Sequence, residues 1–236
     1  MERLQKIIAN SGYCSRRKAE ELILSSKVKV DGKIVNELGV KVNSNSQIMI
    51  DGKILSKEEK EYILLYKPRG VLTTTSDDKK RKTVLDLIET NKRLYPVGRL
   101  DYDTTGLLLL TNDGDLTNLL IHPKNEVDKT YVAKVEGILS IQDIKKLEKG
   151  VIIDNKKTSP CKAKVKKIDK KNNNCLVEIT IHEGRNHQVK KMFESIGFKV
   201  IKLKREKYAF LNLNGLKPGE YRKLSIKEVK KLYSLK

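Results

Sequence analysis

The chain has 236 residues, of which 50 are lysine or arginine and 30 are aspartate or glutamate, giving a formal net charge of +20. A hydrophobic content of 38% excludes a disordered chain, and this length allows one or two domains with a core. The positive charge favours a polyanionic partner. Nucleic acid is the first candidate, and an anionic membrane surface is the second. No apolar stretch approaches the roughly 20 residues of a transmembrane helix, and no signal-peptide core begins the sequence, so we expect a cytoplasmic protein.

The first 50 residues predict two helices followed by a hairpin. Apolar residues at positions 4–8 have helical spacing, and Gly12 ends that helix. Ser15 can cap the second helix, and Asp31-Gly32 between two short β-branched runs is a strong hairpin signal. Cations of this segment either contact RNA or form a solvated surface: Arg3, Arg16, Arg17, Lys18 and Lys27.

These residues also match a known pattern. The run from Arg3 to Ala9, then Ser15-Arg16-Arg17, and the run from Val28 to Gly32 agree in helix, cap and hairpin with the S4 RNA-binding domain, which the segment resembles. The resemblance implies that residues 1–52 bind structured RNA through its shape and backbone. Residues 53–60 are polar enough to be a linker.

Residues 61–236 predict strands with helices scattered between them. Strands are expected at 62–66, 107–110, 131–135, 162–168 and 175–181, and helices at 84–88, 115–120, 141–149, 188–196 and after Ser225. This order predicts an α+β fold, with a mixed, mainly antiparallel sheet flanked by helices.

Asp101 is the first candidate for chemistry, because it lies just ahead of the most apolar run, Leu107–Leu110. Burying an unpaired carboxylate is costly, so a carboxylate beside a core either has hydrogen-bond or ion-pair partners or serves a catalytic role. A nucleophilic carboxylate would need a cation close by, and Arg99 could reach it or, equally, an RNA phosphate, so a second cation is expected from elsewhere. An aspartate that merely caps a turn is the alternative, and the residues alone leave both open.

Two further segments could contribute to a site. Gly184 is followed by four polar donors and then by a basic helix start, which suits an anion, although a solvated basic helix has the same pattern. Tyr131, in a predicted strand, either packs in the core or stacks on a flipped base. Cys14, Cys161 and Cys175 lack CxxC spacing, so they indicate free thiols and no metal site.

Several segments occur in an order that matches one enzyme family. They are Lys67–Gly70, Gly98–Gly114, Lys129–Tyr131, Glu183–Met192, Leu203–Arg205 and Leu216–Arg222. With the S4-like unit they cover almost the whole chain, and they resemble the RsuA/RluB group of rRNA pseudouridine synthases. The resemblance implies that residues 61–236 isomerise a uridine, without redox change and therefore without cofactor or metal.

The resemblance also implies roles. Asp101 corresponds to the nucleophile, Tyr131 to the residue that stacks on the extruded base, and Lys190 to the cation that pairs with the aspartate, while Leu203 belongs to the apolar wall. The first step, attack at C1′, attack on the base or formation of a glycal, stays open. The remaining candidates for RNA binding in this domain are Arg99, Lys67, Arg69, Arg185, Asn186, His187 and Gln188.

The expected substrate is ribosomal RNA, free or in pre-ribosomal particles. Residues 98–110 and His122-Pro123 look most like the branch that modifies 23S rRNA, with 16S rRNA as the alternative. A catalytically inert assembly factor of the same fold is a different class, against which the intact Asp101, Tyr131 and Lys190 argue. We expect a monomer that does not bind membranes, since only the helix at 226–235 is a weak membrane candidate.

Overall fold

The computed structural model describes residues 1–43 and 45–235, which divide into two compact units. The first unit contains Met1–Glu61 together with Thr90–Leu94 and Thr111–Gly114, and the second contains the remaining described residues. The first unit thus includes two short segments that the sequence assigned to the catalytic domain.

The first unit contains the predicted helix pair and hairpins. Ser15 Oγ accepts a hydrogen bond from the Lys18 backbone N–H at 3.1 Å, which caps the second helix as expected. Asp31 and Gly32 both have positive φ, the geometry of a tight hairpin turn. The elements are β1 (Glu2–Arg3), α1 (Leu4–Asn10), α2 (Arg16–Leu24), β2 (Val28–Val30), β3 (Lys33–Val35), β4 (Lys41–Val42), β5 (Ile48–Ile50) and β6 (Lys53–Ile54).

Residues 53–60, expected as a linker, belong to this unit. Strand β6 pairs with β5, and the Glu58 carboxylate accepts a hydrogen bond from Asn112 Nδ2 at 2.6 Å. Asn112 Oδ1 in turn accepts from the Glu61 backbone N–H at 2.8 Å. The polar composition of this segment therefore reflects hydrogen bonds within the first unit, which a sequence cannot distinguish from the polarity of a free linker.

The second unit is built on a nine-stranded sheet. Its elements are β7 (Tyr62–Lys67), β8 (Tyr95–Pro96), β9 (Thr105–Thr111), α3 (Gly114–Ile121), β10 (Lys129–Glu136), α4 (Ile141–Glu148), β11 (Ile152–Ile153), β12 (Lys156–Lys157), β13 (Lys162–Asp169), β14 (Asn174–Ile181), α5 (Gln188–Glu194), β15 (Val200–Tyr208), β16 (Leu211–Asn212), β17 (Tyr221–Lys223) and α6 (Ile226–Tyr233). The predicted helix at 84–88 is only a 3₁₀ turn, Leu85–Leu87, because Ile88 is already extended.

The strand order confirms the predicted α+β fold. The sheet runs β13-β14-β10-β15-β9-β7-β17, with β8 beside β9 and β16 beside β15. Strands β15 and β9 are parallel, whereas β10 is antiparallel to both β14 and β15. Leu107–Leu110 of β9 is buried throughout, as expected of a central strand. The main core contains Leu64, Val97, Leu107, Leu109, Leu116, Leu119, Leu120, Val127, Tyr208, Leu211 and Leu232.

The last helix, α6, begins with the predicted capping box. Ser225 and Glu228 exchange side-chain to backbone hydrogen bonds, and Arg222 Nη2 lies 2.7 Å from the Glu228 carboxylate. The hydrogen bond from Arg222, helped by those from Ser225 and opposed by partial burial, lowers the pKa of Glu228 to about 2. The carboxylate therefore stabilises α6 only in its ionised form.

We expect Glu228→Gln to lower the free energy of unfolding by about 1 kcal/mol at pH 7, a value reduced for partial exposure of the pair. Because the folded pKa is depressed, the stabilisation is present above the unfolded pKa of about 4.3 and is lost as pH falls towards the folded value. Urea denaturation should show the difference between wild type and variant shrinking by roughly half between pH 7 and pH 3. A difference that does not change with pH would contradict this, and Lys227→Gln, on the same helix, is the control.

Candidate active site

The segment that carries Asp101 leads from β8 into β9 and is fixed through its backbone. Gly98 adopts a positive φ of 70°, which favours glycine. Thr73 Oγ1 donates a hydrogen bond to the Leu100 carbonyl at 2.7 Å, and the Thr104 N–H donates to the Asp101 carbonyl at 3.1 Å. The second of these closes a turn, so the Asp101 side chain projects from a defined backbone position.

A buried ammonium group holds the same turn. Lys67 is fully buried, and its Nζ donates to the carbonyl oxygens of Pro68, Asp101 and Thr104 at 3.0–3.1 Å. Burial lowers the pKa of Lys67 to about 8, against the opposing attraction of Asp101 and Asp103. The prediction that Lys67 contacts RNA is therefore wrong, because its side chain has no access to solvent and three carbonyls use its three donors. Lys67 positions Asp101 instead.

The Asp101 carboxylate lies next to the start of α5. Lys190 Nζ is 3.3 Å from Asp101 Oδ2, and His187 Nε2 is 3.6 Å from Asp101 Oδ1. Lys190 Nζ also donates to Asp103 Oδ1 at 2.6 Å. Burial acts to lower the pKa of Lys190, but its hydrogen bond with Asp103 and the charge of Asp101 together raise it, so the side chain stays protonated. The same hydrogen bond holds the pKa of Asp103 below its ordinary value.

We expected a second cation for Asp101 from elsewhere in the chain. In the structure this cation is Lys190, which lies 89 positions further along the sequence. Arg99, considered from its nearness in sequence, is exposed. A protonated lysine beside this aspartate supplies the cation that a nucleophilic carboxylate requires close by.

A cavity of about 450 Å³ opens beside Asp101, a volume typical of small-molecule sites. Tyr131 of β10 and Leu203 of β15 form part of its wall, and both side chains are largely buried. In the register of these strands Tyr131 lies opposite Arg205, and Ala133 lies opposite Leu203. Alternation along a strand puts Leu203 and Arg205 on one face, so both reach the cavity. An aromatic ring and an aliphatic chain here offer apolar surface to a flat ligand.

Two cations of the cavity, one buried and one partly buried, were not predicted as site residues from the sequence. Arg205 is 2% exposed and donates through Nε to the Leu107 carbonyl at 2.7 Å. Lys129 Nζ donates to the carbonyl oxygens of Val127 and His182, both at 2.9 Å. Burial, reinforced by the charge of Arg205 and opposed by Asp128, lowers the pKa of Lys129 to about 8. The signal available for Arg205 was its spacing of two from Leu203 on a strand, which predicts a shared face.

The other residues predicted in this domain fall into two groups. Arg69, Arg99, Asn186 and His187 are exposed, so a contact with RNA stays a prediction for them. Gln188 is buried, where its side chain accepts from the Arg185 N–H at 2.8 Å and donates to Glu183.

Arg185 is also engaged within the protein. Its guanidinium donates to the carbonyl oxygens of Lys156 and Lys157 at 2.9 and 2.6 Å, and to Glu183 at 3.2 Å. Gln188 and Arg185 therefore shape the loop before α5, where both line the cavity, and their contact with RNA stays a prediction.

In the first unit, the cations predicted to contact RNA share one property, which is exposure to solvent: Arg3, Arg16, Arg17, Lys18 and Lys27. Arg3 lies on β1 directly ahead of α1, the next three lie on α2, and Lys27 directly precedes β2. This placement agrees with the S4-like pattern, and their RNA contacts stay predictions.

The described residues contain no cluster of three or more His, Cys, Asp or Glu side chains that could hold a metal ion. The three cysteines are free thiols, and burial raises the pKa of Cys161 to about 12. Within residues 1–43 and 45–235, no helix is long and apolar enough to cross a membrane.

Comparison with known proteins agrees with both parts of the sequence pattern. Residues 61–195 match the family model described as RNA pseudouridylate synthase, and residues 2–48 match that of the S4 domain. Ribosomal large subunit pseudouridine synthase B of Bacillus subtilis is 58% identical over 236 residues, covering 100% of this chain and 97% of that protein. An uncharacterized RNA pseudouridine synthase of Aquifex aeolicus is 42% identical, covering 98% of this chain and 93% of the relative.

A solved structure shares the fold over nearly the same extent. The crystal structure of a pseudouridylate synthase superposes with a TM-score of 0.70 at 34% identity, covering 98% of this chain and 100% of the other. The similarity therefore extends over both units in sequence.

Proposed function

Because the chain belongs to the RNA pseudouridylate synthase family, we propose that it isomerises a specific uridine of 23S ribosomal RNA to pseudouridine, with Asp101 as the nucleophile. The observation that carries this proposal is the Asp101 carboxylate, which lies 3.3 Å from Lys190 at a cavity walled by Tyr131 and Leu203. A carboxylate paired with a lysine beside an apolar wall suits a reaction in which a flat base leaves its sugar and rejoins it.

In the proposed reaction the target nucleotide leaves the RNA helix and its uracil enters the cavity. Extruding a base costs a few kcal/mol, which contacts between phosphates and exposed cations can supply. Asp101 assists rupture of the bond between C1′ and N1, whether by attack at C1′, by attack on the base or through a glycal. The uracil then turns and bonds to C1′ through C5, while a proton leaves C5 and N1 gains one.

Each proposed catalytic residue has a physical task. Lys190 pairs with Asp101 and holds it in place, and as a compact point charge it can be shared with Asp103. Tyr131 stacks on the extruded uracil and keeps it in the cavity while it turns. Leu203 completes the apolar wall, and the S4 domain anchors the RNA.

The choice of large-subunit RNA rests on the Bacillus subtilis relative, whose name specifies the ribosomal large subunit and whose identity of 58% covers the whole chain. The net charge of +20 suits a long polyanion, whether naked RNA or a pre-ribosomal particle. We also propose that the enzyme acts as a cytoplasmic monomer, since one chain supplies Asp101, Tyr131 and Lys190 from a single compact unit.

The proposal is tested by mapping pseudouridines in 23S and 16S rRNA from cells with and without the gene. We expect one 23S pseudouridine to disappear on deletion and to return when the wild-type gene is restored. Loss of a 16S site instead would overturn the choice of substrate. An unchanged map in both RNAs would favour an inert assembly factor of the same fold.

A further inference from the structure

Arg205 is a buried cation for which the protein supplies only part of the hydrogen bonding. Its Nε donates to the Leu107 carbonyl at 2.7 Å, and its Nη1 lies 3.4 Å from the Tyr131 hydroxyl oxygen. Nη2 is buried and has no hydrogen-bond partner among the residues that the structure describes. Arg205 also forms no ion pair within the described ranges. Burying a guanidinium without full hydrogen bonding is costly, so this donor calls for an acceptor that the protein does not provide.

The guanidinium is held in the wall of the cavity. It lies between two aromatic rings, with Cζ 5.9 Å from the Tyr131 centroid and 5.2 Å from that of Tyr208. Strand β15 also runs close against β9 at Gly106, where an added Cβ would meet the Arg205 carbonyl oxygen at 2.2 Å. These contacts fix both the backbone and the head group, so Arg205 cannot turn outwards to find solvent.

A second cation lies near Arg205 in the cavity. Lys129 is partly buried and lines the same cavity, and two of its three donors are used by backbone carbonyls. The Glu183 carboxylate lines the same cavity, but it already accepts hydrogen bonds from Arg185, Gln188 and the Ser159 N–H. The unused donor of Arg205 therefore favours a ligand with an electron-rich oxygen.

We propose that Arg205 Nη2 donates a hydrogen bond to a carbonyl oxygen of the extruded uracil and stabilises the negative charge that this base carries when it is detached. This inference rests on the proposed function. When the bond between C1′ and N1 breaks, its electron pair leaves with the base and spreads over N1, O2 and O4. The pair returns in the new bond between C5 and C1′, after which C5 loses its proton and N1 takes one up.

A fixed donor is effective in this role because it needs no reorganisation as the charge develops. The cation–π contacts and the bond to the Leu107 carbonyl hold Arg205 in place before the RNA arrives. Tyr131 then stacks on a base whose charge Arg205 stabilises from the edge. Arg205 thereby becomes a catalytic residue of the proposed reaction, in addition to Asp101, Tyr131 and Lys190.

The test compares two leaving groups in Arg205→Met and wild type, using an RNA fragment with uridine or 5-fluorouridine at the target. Fluorine withdraws electrons, so detached fluorouracil needs less help from the protein. We expect Arg205→Met to slow single-turnover cleavage of the uridine glycosidic bond by about 10²–10³-fold. With 5-fluorouridine the loss should be at least roughly ten times smaller, and the Kd for RNA should stay within about threefold.

Tyr208→Phe is the matched control, because it removes a buried hydrogen bond, from Tyr208 Oη to the Leu120 carbonyl, beside the same guanidinium. We expect it to change both substrates by the same factor. If Arg205→Met slowed cleavage of both substrates by the same factor, the proposal would be overturned. Arg205 would then have only a structural role. If the methionine variant does not fold, Arg205→Gln, which also removes the charge but keeps a polar side chain, gives the same comparison.

The two experiments distinguish failure of the proposed function from failure of the role of Arg205. If wild-type protein forms no pseudouridine in 23S or 16S rRNA, the proposed function falls and the role of Arg205 falls with it. If the wild type is active and the ratio of the two substrates is unchanged in the variants, only the role of Arg205 is wrong.

Discussion

Asp101→Asn is expected to reduce pseudouridine formation by at least about 10⁴-fold while the Kd for RNA changes less than about threefold. The amide is nearly isosteric, so the turn held by Lys67 and Thr73 persists, but it cannot act as a nucleophile. The measurement is single-turnover pseudouridine formation on a 23S rRNA fragment, with RNA binding measured separately. Activity within tenfold of wild type would exclude Asp101 as the nucleophile.

Asp103→Asn is the control for that substitution. Asp103 lies two residues away and makes the shorter ion pair with Lys190, 2.6 Å against 3.3 Å for Asp101. Its loss should leave Lys190 free to pair with Asp101 alone, so we expect a change of less than about tenfold. Equal losses in the two variants would show that the ion-pair cluster as a whole, rather than Asp101 itself, limits the rate.

Lys67→Met is expected to lower the free energy of unfolding by about 3 kcal/mol or more and to reduce turnover strongly. Its three carbonyl acceptors would lose their donor inside the protein, and an unsatisfied buried group costs about 1–3 kcal/mol. Because two of these carbonyls belong to Asp101 and Thr104, the carboxylate would lose its fixed position. Urea denaturation gives the stability, and turnover is compared with RNA affinity below the melting transition.

Arg69→Ala separates this structural role from RNA binding. Arg69 lies two residues further along, is exposed and belongs to the same predicted RNA-binding loop. We expect it to weaken RNA binding without changing stability by more than about 0.5 kcal/mol. If Lys67→Met instead weakened RNA binding and left stability unchanged, the sequence interpretation of Lys67 would be right after all.

Elements whose signals are local were predicted correctly from residue type and spacing. Ser15 and Ser225 cap helices, Asp31-Gly32 turns a hairpin, and the apolar run before Thr111 forms a buried strand. Such features depend on a few neighbouring residues, so residue type and spacing suffice to predict them. The position of Asp101 ahead of a core strand could be read in the same way, and its motif gave the family.

Which side chains surround that carboxylate, and which lie exposed at the surface, depends on contacts that are distant in sequence. Lys190 reaches Asp101 across 89 positions because the fold brings α5 against the turn after β8. Lys67, expected on the surface, is buried against three carbonyls, and Arg205 is enclosed by two strands and two rings. The identity of a lysine or arginine in the sequence does not show whether its side chain is solvated or buried. Strand register and burial, which depend on long-range contacts, distinguish an exposed cation from one that builds the site.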